Sequence, residues 1–502
     1  MTGNLVGDYS HLILPSEFFN PHTTMGEFFQ KSFLYVLGLS IGTLSIGIGL
    51  GFYGATFTTV VEGLLLDTAT KKAAFNALAP VGAVFGASSV PIVMNRFGRR
   101  FPAMAASSIV VLGWTLIVCT SQKVTWIAYL GRVVNGIGLG ACSSINPVYI
   151  AELSPASVRG AYGVMSQLFT TVGSLVVYGM AIFCPWRTVA GVAIAFPLIT
   201  VIALFFVPES PRVTRQSKLT PRSYTDAESR GSWTNKKTSR KEKKRRENCI
   251  NSSDESTSSE KKEVNKESLD ITEYLMSLKN DKQDEEDENG TQVVGEKDRL
   301  FQKKYARGLF FSLLVVFFQQ FSGINALMSN LTAIFDQSHV ALKPSVASTV
   351  VITGKVVTTA LSSPLQELLG RRGAWMLSSG FQAIFLIISC FNERGNWSPV
   401  LPIVMLFGDV VAFGVGLGPI PWYVVPELFP DSVRGTATGL VQGANWFLAG
   451  VMIFAFPVML ERMTLAWTYF FYGAVMVVSF LFGLLLLPET RNAEMGAALE
   501  EK

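Results

Sequence analysis

An all-α membrane protein, with twelve transmembrane helices in two pseudo-symmetric six-helix bundles, is the fold class that three features of the sequence predict. The first is composition: 49% of the 502 residues are hydrophobic, only 16% are charged, and 36 are Phe. The second is the gathering of the apolar residues into runs of about 20 or more, the length a helix needs to cross a hydrocarbon core of about 30 Å. Open-edged sheet is excluded there, because lipid satisfies no backbone hydrogen bond. The third is a phrase that occurs twice, Glu-Leu-x-Pro-x-Ser-Val-Arg-Gly, from Glu152 to Gly160 and from Glu427 to Gly435, each time just after an apolar run. In both copies an acid and an arginine stand seven positions apart across a proline that ends a helix, so the two halves share one architecture.

Run length places spans at 32–60, 73–94, 102–121, 124–150, 160–183 and 187–207, then at 306–335, 344–367, 374–392, 398–425, 434–459 and 464–487. The expected organisation is an N-terminal segment (1–31), a first bundle (32–208), a polar linker (209–305), a second bundle (306–487) and a tail (488–502). Asn95-Arg96-Phe97-Gly98-Arg99-Arg100, Arg159, Arg212, Gly370-Arg371-Arg372 and Arg434 all fall in connections on one side. By the positive-inside rule that side, and both termini, are expected to be cytoplasmic. The first ~30 residues lack a basic flank followed by a cleavable apolar core, so the first span is expected to act as the insertion signal.

A net charge of +5 does not point to nucleic acid, because it is concentrated in the loops, and membrane topology accounts for it. The five cysteines, at 119, 142, 184, 249 and 390, are odd in number and scattered; they spell neither a disulfide framework nor a metal site, and no cofactor is expected. The linker is basic at Lys241-Glu242-Lys243-Lys244-Arg245-Arg246 and acidic at Asp284-Glu285-Glu286-Asp287-Glu288. It is too polar to bury a core and is expected to be largely disordered. A solvated connector, a segment that binds acidic lipid headgroups, a phosphorylation site around Ser252 and Ser253, and a docking site for a cytosolic partner remain open for it.

Laid over each other, the halves agree at three places. Gly98-Arg99-Arg100 follows the second span and Gly370-Arg371-Arg372 the eighth; the doubled phrase follows the fourth and the tenth; Pro208-Glu209-Ser210 closes the sixth and Pro488-Glu489-Thr490 the twelfth. Together with Gly131-Arg132, Pro208-Glu209-Ser210-Pro211-Arg212, Gln319-Gln320-Phe321-Ser322-Gly323-Ile324-Asn325 and Gly418-Pro419-Ile420-Pro421-Trp422, these motifs resemble the sugar porter branch of the major facilitator superfamily, and within it most closely the facilitative hexose transporters. The resemblance covers nearly the whole chain apart from the N-terminal ~30 residues and the linker. It implies a plasma-membrane carrier in the major facilitator fold, working by alternating access, with a sugar and the lipid bilayer as partners, no nucleic acid and no covalent chemistry.

A hexose offers hydroxyls around a ring with apolar faces, so its site needs amides that donate and accept at once and an aromatic plane. Gln319, Gln320 and Asn325 in the seventh span meet the first need, with Gln320 and Asn325 close to one helix face and a local break at Gly323 loosening the geometry. The resemblance carries a substrate role onto these three and onto Gln167, Asn445 and Trp422. An intramembrane amide also serves as an interhelical hydrogen bond that merely holds a bundle together. Gly418, Pro419 and Pro421 remove helix hydrogen bonds from the tenth span, as a bending gate or a static kink would. Arg99, Arg100, Arg132, Glu152, Arg159, Glu209 and Arg212 on one half, with Glu367, Arg371, Arg372, Glu427, Arg434 and Glu489 on the other, are expected to form a cytoplasmic latch. Its ion pairs would form when the carrier faces outward and break when it faces inward.

Several positions depart from the family pattern. Gly49 stands where family proton symporters carry a first-span aspartate, so proton coupling through that place is not expected. Ser329 and Asn330 replace paired tyrosines of the outer gate, and Gly414 replaces an acid ahead of the Gly-Pro-x-Pro-Trp motif. Lys355, mid-span where the family commonly has an asparagine, is costly in lipid and therefore a functional candidate. It is either neutralised by Asp409 in the tenth span, or offered to a sugar hydroxyl or an anionic substrate, or held as a neutral amine. Three functions follow: facilitative hexose transport, carriage of another polyol or an anionic sugar derivative, and non-transporting sugar sensing through the central loop.

Overall fold

The computed structural model describes residues 25–154, 159–210, 300–429 and 431–487. All regular structure among them is helical. Ten helical stretches are long and apolar enough to cross a membrane. One of these, Val433–Leu485, turns at Thr464 (φ 69°) and is two spans. Trp126–Leu153, 28 residues long with Arg132 and Glu152 inside it, completes twelve. Large apolar side chains point outward all around, among them Phe85, Ile92, Phe206 and Leu485, each about two-thirds exposed or more; only a lipid solvent makes so much exposed apolar surface stable.

The spans are, in order, Met25–Ala55, Ala69–Phe97, Arg100–Val118, Trp126–Leu153, Arg159–Ala181 and Trp186–Leu204, then Lys303–Ser329, the two halves of Pro344–Gly395, Leu401–Trp422 and the two halves of Asp431–Leu485. The boundaries have local causes. Thr68 caps the second span by accepting the Lys71 N–H, and Pro344 opens the eighth at a position where a missing N–H costs nothing. In the sixth, Pro197 lacks the N–H that would reach Ala193, so the ladder is interrupted while Ile194 keeps helical angles. The seventh breaks at Gly323 (φ 80°), as expected there, and again at Asn330 (φ −123°), with a short helix, Ile324–Ser329, between.

The duplication is visible in the backbone. Gly98 (φ 79°) and Gly370 (φ 73°) hold left-handed turns at equivalent places, each just before an Arg-Arg pair. The second arginine of each pair then donates to the end of its own bundle's last helix: Arg100 Nη2 to the Phe205 carbonyl (2.6 Å), and Arg372 to the carbonyls of Gly483 and Leu484. One geometry serves both halves.

Within the first bundle, helices meet through reciprocal glycines. A Cβ on Gly82 or Gly86 of the second span would overlap the backbone of Val133 or Ile137 in the fourth, and one on Gly136 or Gly140 would overlap Ala79 or Ala83 in return. Gly47 and Gly173 pair the first and fifth spans in the same way. Small residues four apart let membrane helices approach to backbone contact, where dispersion replaces the hydrophobic drive that lipid removes. Arg132 is sealed inside this bundle, 1% exposed, donating to the carbonyls of Gly49, Phe75 and Asn76 with its guanidinium 5.4 Å from the Phe75 ring centre.

That burial corrects the assignment of Arg132 to the cytoplasmic latch. It lies twenty positions before Glu152 on one helix, roughly 30 Å along the axis at 1.5 Å per residue. It ties the first, second and fourth spans near the opposite end.

The glycine seam makes a stability prediction. Gly86→Val, which drives side-chain atoms into the fourth span's backbone, should cost about 1–3 kcal/mol or more and lower the thermal unfolding midpoint of detergent-solubilised protein. Gly163→Val, at a site with nothing within 4 Å, should leave that midpoint close to the parent's. Equal behaviour of the two variants would refute the close-approach argument.

Candidate functional site

A cavity with about 860 Å³ of empty space, counting its open mouth, lies between the two bundles. All seven residues expected to face substrate line it: Gln167 from the first bundle, and Gln319, Gln320, Asn325, Lys355, Trp422 and Asn445 from the second. The seventh span supplies the centre. Because Gly323 turns left-handed, the chain after it re-enters at a new angle and brings the Asn325 amide back to Gln320. Asn325 Nδ2 donates to Gln320 Oε1 (2.6 Å), and Gln320 Nε2 donates to Asn445 Oδ1 on the eleventh span (2.6 Å). This chain of three amides leaves the Asn325 oxygen and the Asn445 nitrogen without a protein partner among the described residues, one acceptor and one donor at its two ends.

Gln319 has a different task from its neighbour. Its Nε2 donates to the carbonyls of Leu417 and Gly418, both at 2.9 Å, where the tenth span breaks between Leu401–Val415 and Ile420–Glu427. Gly418, Pro419 and Pro421 all sit at that break. The other freed groups are also met: Gln366 Nε2 donates to the Val415 carbonyl (3.0 Å), and Ser378 Oγ accepts the Leu417 N–H (3.1 Å) while donating to the Ala412 carbonyl (2.7 Å). Trp422, one turn past the break, lines the cavity.

Sequence reading missed the opposite wall. Gln167, Thr170, Thr171, Ser174 and Tyr178 recur at helical spacing on the fifth span and all line the cavity; extending that spacing from Gln167 would have found them. Their hydroxyls donate inward to carbonyls, Thr171 to Gln167 (2.7 Å) and Ser174 to Gly47 (3.0 Å), leaving oxygen lone pairs toward the cavity. Tyr178 donates to the Met328 carbonyl. A Cβ on Gly54 would meet the same carbonyl and the Tyr178 hydroxyl, so the two bundles close on each other at this end. Trp446 Nε1 ties the bundles again by donating to Ser143 Oγ of the fourth span (2.9 Å).

Lys355 lines the cavity with its ammonium 5.4 Å from the Phe413 ring centre. It does not pair with Asp409, as one reading of the sequence had it. Asp409 is wholly buried and accepts instead from Gln382 Nε2 (3.1 Å).

At the basic end, Arg99 grips Glu152 with two bonds, Nε to Oε2 and Nη2 to Oε1, both 3.0 Å. Glu209 accepts the backbone N–H groups of Arg99 (2.8 Å) and Arg100 (3.2 Å), and Ser210 Oγ donates to Glu152 (2.5 Å). The expectation was pairing across the two halves. Among the described residues this network instead stays inside the first bundle, because Arg99, Glu152 and Glu209 close the second, fourth and sixth spans of one bundle. It is also intact while the opposite end is shut. In the second bundle Arg434 donates to the Phe429 carbonyl (3.1 Å), Arg371 follows the turn at Gly370, and Glu367 is exposed. The side chains of Arg159 and Glu427, and the whole of Arg212 and Glu489, lie outside the described residues, as do most of the linker and the tail.

Comparison with known proteins agrees with this geometry. The xylose transporter XylE from E. coli, in a partially occluded inward-open conformation, superposes with a TM-score of 0.67 at 20% identity, over 92% of this chain and 99% of that one; at that identity the likeness is one of fold, the twelve-helix major facilitator fold. Sugar transporter ERD6-like 6 of Arabidopsis thaliana is 29% identical over 482 residues, 93% of this chain and 88% of the relative. The facilitated trehalose transporter Tret1 of Bombyx mori is 25% identical over 488 residues, 95% and 87% respectively. Since the model of the family described as "Sugar (and other) transporter" matches residues 36–498, the chain belongs to that family, the sugar porter branch of the major facilitator superfamily, and is a membrane transporter with no enzymatic role.

Proposed function

We propose that the protein moves a monosaccharide of hexose size across the membrane by alternating access, down the sugar's own gradient. The observation that carries this reading is the inter-bundle cavity, where the Asn325–Gln320–Asn445 amide chain faces the hydroxyl-bearing side of the fifth span beside Trp422. Amides that both donate and accept suit a ring of hydroxyls, and the indole offers a plane to the C–H face. With Gly49 at its centre, the stretch Ile46–Gly51 of the first span holds no carboxylate, which supports facilitation over proton coupling at that place. Both walls come from different bundles, so any rocking of one against the other opens the cavity to alternate sides.

The tenth span is the moving part in this reading. Its break is held by Gln319, Gln366 and Ser378, bonds that can exchange partners at small net cost. The Arg99–Glu152–Glu209 cluster keeps the first bundle rigid at its basic end, so that it moves as a body. The basic loops favour a cytoplasmic location for that end and for both termini, with the plasma membrane as the place of action.

Uptake of labelled glucose into proteoliposomes, with fructose and inositol as competitors, tests the function. Saturable uptake blocked by hexoses is expected. If no sugar moves, yet sugar alters the protease sensitivity of the central loop, the chain is a sensor and the transport reading fails. Two variants separate binding from movement. Gln320→Leu removes the centre of the amide chain and should weaken sugar binding by roughly 5- to 150-fold, the equivalent of about 1–3 kcal/mol, as read by equilibrium binding. Gln319→Leu should slow glucose counterflow several-fold with affinity nearly unchanged; a loss of affinity matching that of Gln320→Leu would place Gln319 on the sugar and not on the hinge.

A further inference from the structure

Arg132 carries a charge that no described residue neutralises. The groups that accept from its buried guanidinium, the carbonyls of Phe75 (3.2 Å), Gly49 (3.3 Å) and Asn76 (3.4 Å), are all uncharged. These bonds lie at the long end of the normal range or beyond it. They use one N–H each from Nε, Nη1 and Nη2, so of the five donors one remains on each terminal nitrogen. Among the described residues, the titratable group within electrostatic reach of the guanidinium is the hydroxyl of Tyr53, also uncharged. The Phe75 ring beside it attracts the cation without cancelling it. A buried cation with no counter-charge is heavily penalised.

A second pocket, with about 290 Å³ of empty space counting its open side, lies against this arginine. Arg132, Asn76 and Gly49 line it among apolar side chains, Trp446 and Ile453 of the eleventh span form the wall from the other bundle, and no carboxylate lines it. Asn76 points independently to a ligand. It is 2% exposed, and its side-chain Nδ2 is buried with no partner among the described residues, an open donor in a pocket that already holds a cation. A water there would satisfy the amide and leave the charge. We propose that the pocket binds a small monovalent inorganic anion of chloride size, held by the remaining N–H groups of Arg132 and by Asn76 Nδ2. The planar fork of the guanidinium suits such a grip, and a donor aimed at an anion forms a stronger bond than one aimed at a neutral oxygen. Because the eleventh span forms one wall, the anion enters where the bundles meet. Leu50 and Trp446 line both this pocket and the larger cavity, yet the proposal does not depend on what the larger cavity carries.

Thermal unfolding of the purified full-length protein is followed by intrinsic fluorescence while chloride replaces gluconate at constant ionic strength. The parent's midpoint should rise saturably, by on the order of 2 °C once chloride reaches about ten times its dissociation constant. Asn76→Asp puts a carboxylate of nearly the same size into the pocket and supplies the missing charge from within, so it should unfold at one midpoint in both salts. A parent indifferent to chloride, as a pocket holding water alone would leave it, overturns the proposal. So does an Asn76→Asp variant that responds as the parent does. Bromide, which quenches indole fluorescence on contact, gives a second readout that leaves the polar groups of the pocket intact. Because Trp446 lines the pocket, the parent should show a saturable component of quenching that chloride competes away and that Trp446→Phe lacks. Quenching that is linear in bromide and untouched by chloride overturns the proposal whether or not Asn76→Asp folds.

Discussion

Every backbone N–H and C=O inside a bilayer must find a partner within the protein, and the rest of this structure depends on how that demand is met. Regular helix meets it for most of each span. The informative places are those where the helix stops: Gly323 and Asn330 in the seventh span, and the stretch from Gly416 to Pro419 in the tenth. Broken helix is tolerated at membrane depth only where protein or a watery cavity lies alongside. Here both breaks adjoin the same cavity, and the first helps to satisfy the second, since Gln319 beside the first break bonds the carbonyls released by the second. The cavity thus lies where the backbone can be irregular.

The same demand explains what the sequence disclosed and what it withheld. Span number, the duplication and the seven cavity residues were legible because each leaves a local mark: an apolar run, a repeated phrase, an amide inside an apolar run. The fifth-span hydroxyls were less legible, since Thr170, Thr171 and Ser174 bond helix carbonyls as any threonine or serine in a membrane helix does, and only their shared face marks them. Arg132 misled for the opposite reason. The Gly131-Arg132 motif put it with the cytoplasmic latch, whereas its guanidinium is spent on carbonyls of two neighbouring helices. Which arginine takes which acid is set by tertiary packing, so the doubled phrase announced charge pairs without revealing that Arg99–Glu152 binds one bundle to itself.

Close packing and mobility are divided between regions. The glycine seams of the first bundle put backbones in contact, and packed surfaces of that kind shift as bodies and do not deform gradually. Contacts between the bundles are different in kind. Gly439, Gly443 and Gly450 of the eleventh span meet Pro91, Ser88 and Pro80 of the second mainly through side chains, and the polar ties, Trp446 to Ser143 and Tyr178 to the Met328 carbonyl, are few. A few hydrogen bonds, each worth about 1 kcal/mol net, give an energy gap of the size a ligand can tip.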